Sequence, residues 1–375
     1  MPITAESALA ALEKVSDPEL GRSIAALGLV DEVTVEGGVV RAALHLPIPG
    51  PSYRTRVEKA VGDALRAAGA TRVELRADLA LPTRNILSDD PCPGVKNIVL
   101  VMSGKGGVGK STVATNLALA LSRLGGPGDG RLKVGLLDAD MYGPSIPTML
   151  GVSGRPSSAD GQKFLPLERF GVALMSIGFL LEDPRSAVVW RGPMLQNALL
   201  QFLRDVEWGA LDYLVLDLPP GTGDITLTIS QKLRTTGAVV VTTPQEVALQ
   251  DVYKSVSMAQ KVGIPLLGVI ENESWFICDG CEKRHTLFGV GGGQKVADFA
   301  GAPLLGQIPI DPAIREWGDA GTPVVEAAPE SAVARSFMDL AERLAARVSA
   351  QDVERGGGLK IDRSGGAQRH LPIFR

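Results

Sequence analysis

Between residues 97 and 349, short apolar runs alternate with stretches in which apolar side chains recur every three or four positions. The runs at 98–102, 133–137, 172–176, 213–218, 238–243 and 266–271 predict buried strands. The stretches at 110–124, 193–206, 225–233 and 245–262 predict helices. Strand, helix, strand in this rhythm implies an α/β domain, a mostly parallel sheet with helices on both faces. A last amphipathic helix is expected over 330–349. Residues 1–80 read as a separate small α+β module, with helices at 5–15 and 52–68 and strands at 39–46 and 72–79. Residues 81–96 carry three prolines and little periodicity, which predicts a linker. Residues 350–375 are rich in glycine and charge and predict a mobile tail, whose closing Leu371, Pro372, Ile373 and Phe374 are apolar enough to dock.

Composition narrows the classes. The chain is 375 residues long, enough for two or three domains, and 45% hydrophobic, enough to bury sizeable cores. A net charge of −4 without a basic block, and aromatics at 5%, argue against a nucleic-acid partner. The apolar runs are strand-sized, far too short for a membrane span, and the N-terminus lacks a basic region followed by an apolar core. Three cysteines make no disulfide framework. The expectation is a cytoplasmic protein without a membrane partner.

The first predicted strand runs into Gly104, Lys105, Gly106, Gly107, Val108, Gly109, Lys110, Ser111 and Thr112. Glycines at this spacing let backbone N–H groups curl around phosphate oxygens, and the helix that follows adds its positive end. Lys110 is placed to reach the terminal phosphates and Ser111 to hold Mg²⁺. Two further apolar strands end in carboxylates, at Asp138-Ala139-Asp140 and at Asp217-Leu218-Pro219-Pro220-Gly221-Thr222-Gly223-Asp224. The carboxyl ends of parallel strands are where such a sheet binds its ligand. We expect Asp217 to bind Mg²⁺, Asp138 to support the metal, Asp140 to orient an attacking water, and Gly221 and Gly223 to free a loop that senses the γ-phosphate.

Cys278 and Cys281 form a Cys-x2-Cys pair around Gly280. That spacing brings two thiolates to one metal or cluster, but supplies only half of a four-ligand site; a two-fold dimer supplies the rest by symmetry. Zn²⁺ and a [4Fe–4S] cluster both suit four thiolates. His285 is near enough in sequence to be a third zinc ligand, and a redox-active or inert pair remains open. Cys92, in the predicted linker, is expected to be an exposed unpaired thiol.

The Gly-Lys-Gly-Gly-Val-Gly-Lys-Ser-Thr loop and the two aspartate segments resemble the deviant Walker A ATPases, which include ParA and MinD, the nitrogenase iron protein and the Mrp/ApbC carriers. This resemblance implies a P-loop NTPase fold and ATP hydrolysis. It also implies that Lys105 crosses a dimer interface to touch the phosphates of the partner's nucleotide, where a cation supplied in trans stabilises transition-state charge. Within that group, Asn272 through Cys281, Phe288 through Gly293, Leu305 through Pro309, Arg315-Glu316, Gly318 through Pro323 and Arg191 through Met194 resemble the Mrp/ApbC iron–sulfur cluster carriers. The implication is a homodimer that holds a [4Fe–4S] cluster through Cys278 and Cys281 of each chain and passes it to apo iron–sulfur proteins, alongside cluster assembly factors. Asn272 is implied to contact adenine. One departure is Glu273 where the family pattern has methionine, which puts an acid near the cluster loop. Val15 through Gly21 and Leu27 through Val30 resemble the small iron–sulfur assembly module fused ahead of such ATPases. Relatives of that module often carry a cysteine near the Gly50-Pro51 turn, whereas this chain has Ser52, so protein docking is expected of it rather than metal binding. The competing readings are a ParA/MinD-like positioning ATPase with structural zinc, and an electron donor like the nitrogenase iron protein.

Overall fold

The computed structural model describes residues 3–125, 130–140, 143–158, 161, 163–180, 192–221, 224–278 and 280–354. They form two compact units: one of Met1–Thr83 with Leu124–Arg131 and Ala345–Arg375, the other of Arg84–Arg123 with Leu132–Leu344.

In the first unit, α1 (Ala5–Leu12) starts at a capping box in which Thr4 and Ser7 bond each other's backbone N–H, and it buries Ala8 and Leu12. Strands β1 (Val30–Glu36) and β2 (Val39–Leu46) form an antiparallel pair. Helix α2 (Pro51–Ala67) carries proline in its first turn and buries Tyr53, Val57, Val61 and Leu65, one per turn, as the four-residue apolar spacing requires. Strand β3 (Arg72–Leu79) then pairs parallel to β2. The Asp17-Pro18-Glu19 turn is tied to α2: Asp17 Oδ1 accepts from the N–H groups of Glu19 and Leu20, and Oδ2 accepts from Tyr53 Oη at 2.5 Å. Both side chains are buried, so this turn is part of the core. Ser349 also belongs here, donating its hydroxyl to Pro47 O.

The second unit is built on a sheet of eight strands: β4 (Val95–Ser103), β5 (Val134–Asp138), β6 (Leu167–Arg169), β7 (Val172–Ser176), β8 (Leu211–Asp217), β9 (Gly237–Thr242), β10 (Leu266–Glu271) and, after a small hairpin of β11 (Phe276–Ile277) and β12 (Arg284–His285), β13 (Leu304–Gln307). The order is β13-β10-β9-β4-β8-β5-β7-β6. Every pairing is parallel except β6 with β7. Because helices cover both faces, the central strands are buried along their whole length, which is why they read as unbroken apolar runs. The helices are α3 (Lys110–Arg123), α4 (Ile146–Met149), α5 (Gly192–Asp205), α6 (Asp224–Lys232), α7 (Glu246–Lys261), α8 (Gly292–Ala300), α9 (Pro312–Asp319), α10 (Val324–Ala327) and α11 (Ala332–Glu354), of which the residues from Ala345 on belong to the first unit. The last helix runs to Glu354, so residues 350–354 are helical rather than tail. The remainder of the expected tail, with Leu371 to Phe374, lies outside the described residues, as do Arg191, Thr222 and Gly223.

Cys92 differs from its expectation. It is 3% exposed, and its Sγ donates to Leu203 O at 3.2 Å. The cause is Arg84, whose buried guanidinium bonds both oxygens of Asp90 and the carbonyls of Cys92, Val95 and Arg234. A proline-rich stretch with no periodicity of its own is thereby folded around one cation. Burial pushes the Cys92 thiol up to about 12.

Candidate nucleotide site and cysteine hairpin

The phosphate loop leaves β4 at Ser103 and enters α3 at Lys110. Gly104 is required by close approach: a Cβ there would stand 2.3 Å from Val252 N, on α7. Gly109 has φ +75°, and a Cβ would stand 2.2 Å from Asn272 Nδ2, so the loop closes against Asn272 only with glycine in place.

Three strand ends face this loop. Asp138, Asp217 and Ser176 end β5, β8 and β7, and register pairs Asp138 with both Asp217 and Ser176. Parallel strands in register present such residues side by side. Lys110 Nζ lies 2.6 Å from Asp217 Oδ1 and 3.5 Å from Asp140 Oδ2. Ser111 donates its hydroxyl to Asp217 Oδ2 at 2.5 Å. Asp138 accepts from Ser176 Oγ at 3.0 Å and from the N–H groups of Asp140 and Ile146. Both Asp138 and Asp217 are fully buried. Burial raises the Asp138 carboxyl above the usual carboxylate range; the Asp217 charge raises it further, and Ser176 offsets part of this. Burial also raises Asp217, against the pull of Lys110 and Ser111. Three carboxyl groups, those of Asp138, Asp140 and Asp217, with one ammonium among them make a pocket short of positive charge.

Lys105 is half-buried, and its ammonium has no ion-pair partner among the described residues. Its backbone O accepts from Ser103 Oγ. Beside Gly109 opens a cavity of about 450 Å³, walled by Thr112, Asn272, Glu273, Pro309, Ile310 and Arg315. Its volume is in the range of small-ligand sites. Asn272 donates its side-chain amide to Val108 O at 2.9 Å, bridging this cavity and the phosphate loop. Glu273, expected near the cysteine loop, faces this cavity; burial raises its carboxyl.

Cys278 and Cys281 lie on the hairpin of β11 and β12. Cys278 is half-buried, Cys281 is exposed, and none of the three cysteines is in a disulfide. Cys278 N donates to Lys283 O and Cys278 O accepts from Glu282 N. His285 pairs across the hairpin with Phe276 and is exposed. Among the described residues, no three His, Cys, Asp or Glu side chains converge as a metal site, so His285 does not complete a one-chain zinc set with the cysteines. No helix among them is long and apolar enough to cross a membrane.

Two residues escaped the sequence reading. Ser176 ends an apolar strand just as the aspartates do, and that pattern marks it. Glu271 ends β10 the same way: it is fully buried and accepts from Ser274, Gln307 and Gly293.

Known proteins match both units. A family model described as NUBPL iron-transfer P-loop NTPase matches residues 94–345, and one described as iron-sulfur cluster assembly protein matches residues 5–75. The chain is 43% identical over 354 residues to the iron-sulfur cluster carrier protein of Synechocystis sp., covering 92% of this chain and 98% of that protein. To the iron-sulfur cluster carrier protein of Aquifex aeolicus it is 54% identical over 256 residues, 67% of this chain and 68% of that one. A nucleotide-binding protein from Archaeoglobus fulgidus, solved in complex with ADP, is 39% identical with a TM-score of 0.52, covering 61% of this chain and 87% of that chain. With its phosphate loop, its carboxylate-ended parallel strands and its Cys-x2-Cys hairpin, the chain belongs to the iron–sulfur cluster carrier family of P-loop NTPases.

Proposed function

We propose that this protein is an ATP-hydrolysing carrier that holds a [4Fe–4S] cluster between two copies of itself and hands it to apo-proteins in the cytoplasm. The observation that carries this reading is the pairing of a phosphate loop with two thiols on an exposed hairpin and no third ligand beside them among the described residues. Two thiolates are half of what a [4Fe–4S] cluster takes, and a second copy related by a two-fold axis brings the other two. The names of the relatives from Synechocystis and Aquifex support the cargo.

For the nucleotide, residues 104–112 cradle the phosphates through their N–H groups and Lys110 neutralises the terminal ones. Lys110 is held by Asp217 and Asp140, so its ammonium sits beside the strand-end carboxylates. The hydroxyl of Ser111 and the carboxylates of Asp138 and Asp217 form an all-oxygen donor set short of positive charge, which fits Mg²⁺. The chemistry a bound Mg²⁺ supplies is neutralisation of charge on the terminal phosphates. Asp138, which already accepts three hydrogen bonds, is the more constrained of the two carboxyl donors. Asp140 accepts a hydrogen bond from the attacking water and orients it. Asn272 meets the adenine base in the cavity beside Gly109. Lys105 reaches the phosphates of the partner's nucleotide, so hydrolysis waits on dimer geometry. The first unit serves as a docking module for assembly factors or recipients.

The test is metal content. Protein purified without oxygen should carry about four iron and four sulfide per dimer, the stoichiometry of one cluster on four thiolates. About one zinc per dimer without sulfide, the stoichiometry of one tetrathiolate site, would overturn the carrier reading.

A further inference from the structure

We propose that Glu271 is a positioning residue that couples the nucleotide cavity to the Cys278/Cys281 hairpin. This rests on reading that cavity and phosphate loop as the nucleotide site, and is independent of which metal the thiols take.

The carboxylate of Glu271 is fully buried and has no lysine or arginine partner among the described residues. Three donors from three segments hold it instead. Oε1 accepts from Ser274 Oγ and from Gln307 Nε2, each at 2.6 Å, and Oε2 accepts from Gly293 N at 2.5 Å. Gly293 is in the first turn of α8, where the helix favours an anion. Glu271 therefore joins the end of β13, the start of α8 and the chain leading to the cysteines.

That chain is pinned on both sides of Glu271. Asn272, the next residue, donates its side chain to Val108 O in the phosphate loop and its N–H to Thr242 O. Glu273 has φ 55°, a left-handed conformation that a non-glycine residue holds only where its surroundings enforce it. The enforcing contacts are Asn272 on the nucleotide side and Ser274 on the other. Beyond Ser274, Trp275 O accepts from Ile310 N at 2.6 Å and Phe276 bridges Ile310, a wall of the cavity. The Arg284 guanidinium lies over the Trp275 ring at 3.8 Å, clamping the hairpin to the same segment. Cys278 follows two residues after Phe276. The backbone from Asn272 to Phe276, pinned at Val108, Glu271 and Ile310 by hydrogen bonds, thus connects the phosphate loop to a point two residues before Cys278, with Glu271 tying Ser274 to β13 and α8. Movement of Asn272 when a nucleotide fills the loop is passed to the hairpin because Ser274 cannot relax independently.

The experiment reads the alkylation rates of Cys278 and Cys281 in the metal-free full-length protein, with and without Mg²⁺ and a non-hydrolysable ATP analogue. In the wild type the two rates should differ about fivefold or more, the lower end of ordinary site-to-site coupling. Ser274→Ala and Glu271→Ala should bring the ratio within about twofold of unity while the affinity for the analogue stays within about twofold of wild type. Gln307→Ala removes a bond of equal length to the same oxygen but off the path, and should keep the wild-type ratio. Glu271→Gln, which can still accept from Gly293, should keep most of it. Should Glu271→Ala fail to fold, Ser274→Ala decides alone. A wild-type ratio of one, or a wild-type ratio retained in Ser274→Ala, overturns the coupling. Neither result bears on iron content, so this inference and the carrier reading fail separately.

Discussion

The nucleotide site and the cysteine hairpin handle reactive groups in opposite ways. At the first, Lys110, Asp138 and Asp217 are buried ionisable groups, and the sheet supplies each with partners: Lys110 between Asp217 and Asp140, and Asp138 among Ser176 and two backbone N–H groups. Burying a charge is tolerable only with such partners. At the second, two thiols lie on the connection between strands of two residues, with Cys281 exposed and Glu282 in a left-handed conformation at φ 57°. The first site is assembled within one chain by the register of parallel strands. The second presents two thiols on a surface hairpin. A phosphate site must be rigid before its ligand arrives, whereas the proposed cargo, meant to leave, is better held where another molecule can reach it.

The comparison breaks most sharply at Lys110. Lys110→Ala removes the one ammonium between buried carboxylates. Nucleotide hydrolysis should fall at least about 10³-fold, the range seen for loss of a charge-stabilising group. Stability measured by denaturant should fall by about 3 kcal/mol, because Asp217 is left buried and uncompensated. That deficit should shrink as pH falls. Asp217 already binds its proton more tightly folded than unfolded, and protonation discharges it. Iron bound through the cysteines should be unaffected. If Lys110→Ala lost iron and hydrolysis together, the two sites would not be separable as described.

The reverse variant has the smaller energetic footprint. Cys278→Ser should lower bound iron by roughly tenfold or more. In metal-free protein it should leave hydrolysis within about a factor of two, since the coupling proposed above runs through the backbone of residues 272–276 and not through the thiol. Stability should move by no more than about 0.5 kcal/mol, the usual limit away from the core. Full iron content in this variant would remove Cys278 from the ligand set.

What the sequence makes readable follows the same division. Strands β4, β5, β8, β9 and β10 are legible because burial on both faces leaves an unbroken apolar run, and the polar residue that ends each run marks the site edge. Strand β1 is not: Val30–Glu36 has only three valines among three acids and a threonine, on a half-exposed surface with no buried residue. The edge strands β6 and β13 are only three and four residues long, too short for a period to register. The Cys-x2-Cys spacing is visible, but the exposure of the hairpin is not, since it depends on how Arg284 and Trp275 stack. Glu271 is visible as a lone acid closing a strand; its role is hidden because Gly293 and Gln307 are distant in sequence and meet it only after β13 and α8 pack.

Cys92 offers the finest test, because it is a thiol treated in the manner of the buried site. Its neighbours in sequence are prolines and charged residues, which argue for exposure. Its fold neighbours decide otherwise: Arg84 gathers carbonyls from three positions, and the thiol is enclosed with its Sγ on Leu203 O. With the thiol pushed up to about 12, its thiolate fraction at pH 8 is about 10⁻⁴, and thiolate is the form that reacts. Metal-free native protein should therefore show two thiols that react quickly with an aromatic disulfide reagent. A third should appear only in denaturant, at least about 10³-fold slower under native conditions. Three fast thiols would mean that the Arg84 cluster opens readily, and the contrast between an enclosed thiol and a presented pair would lose its internal control.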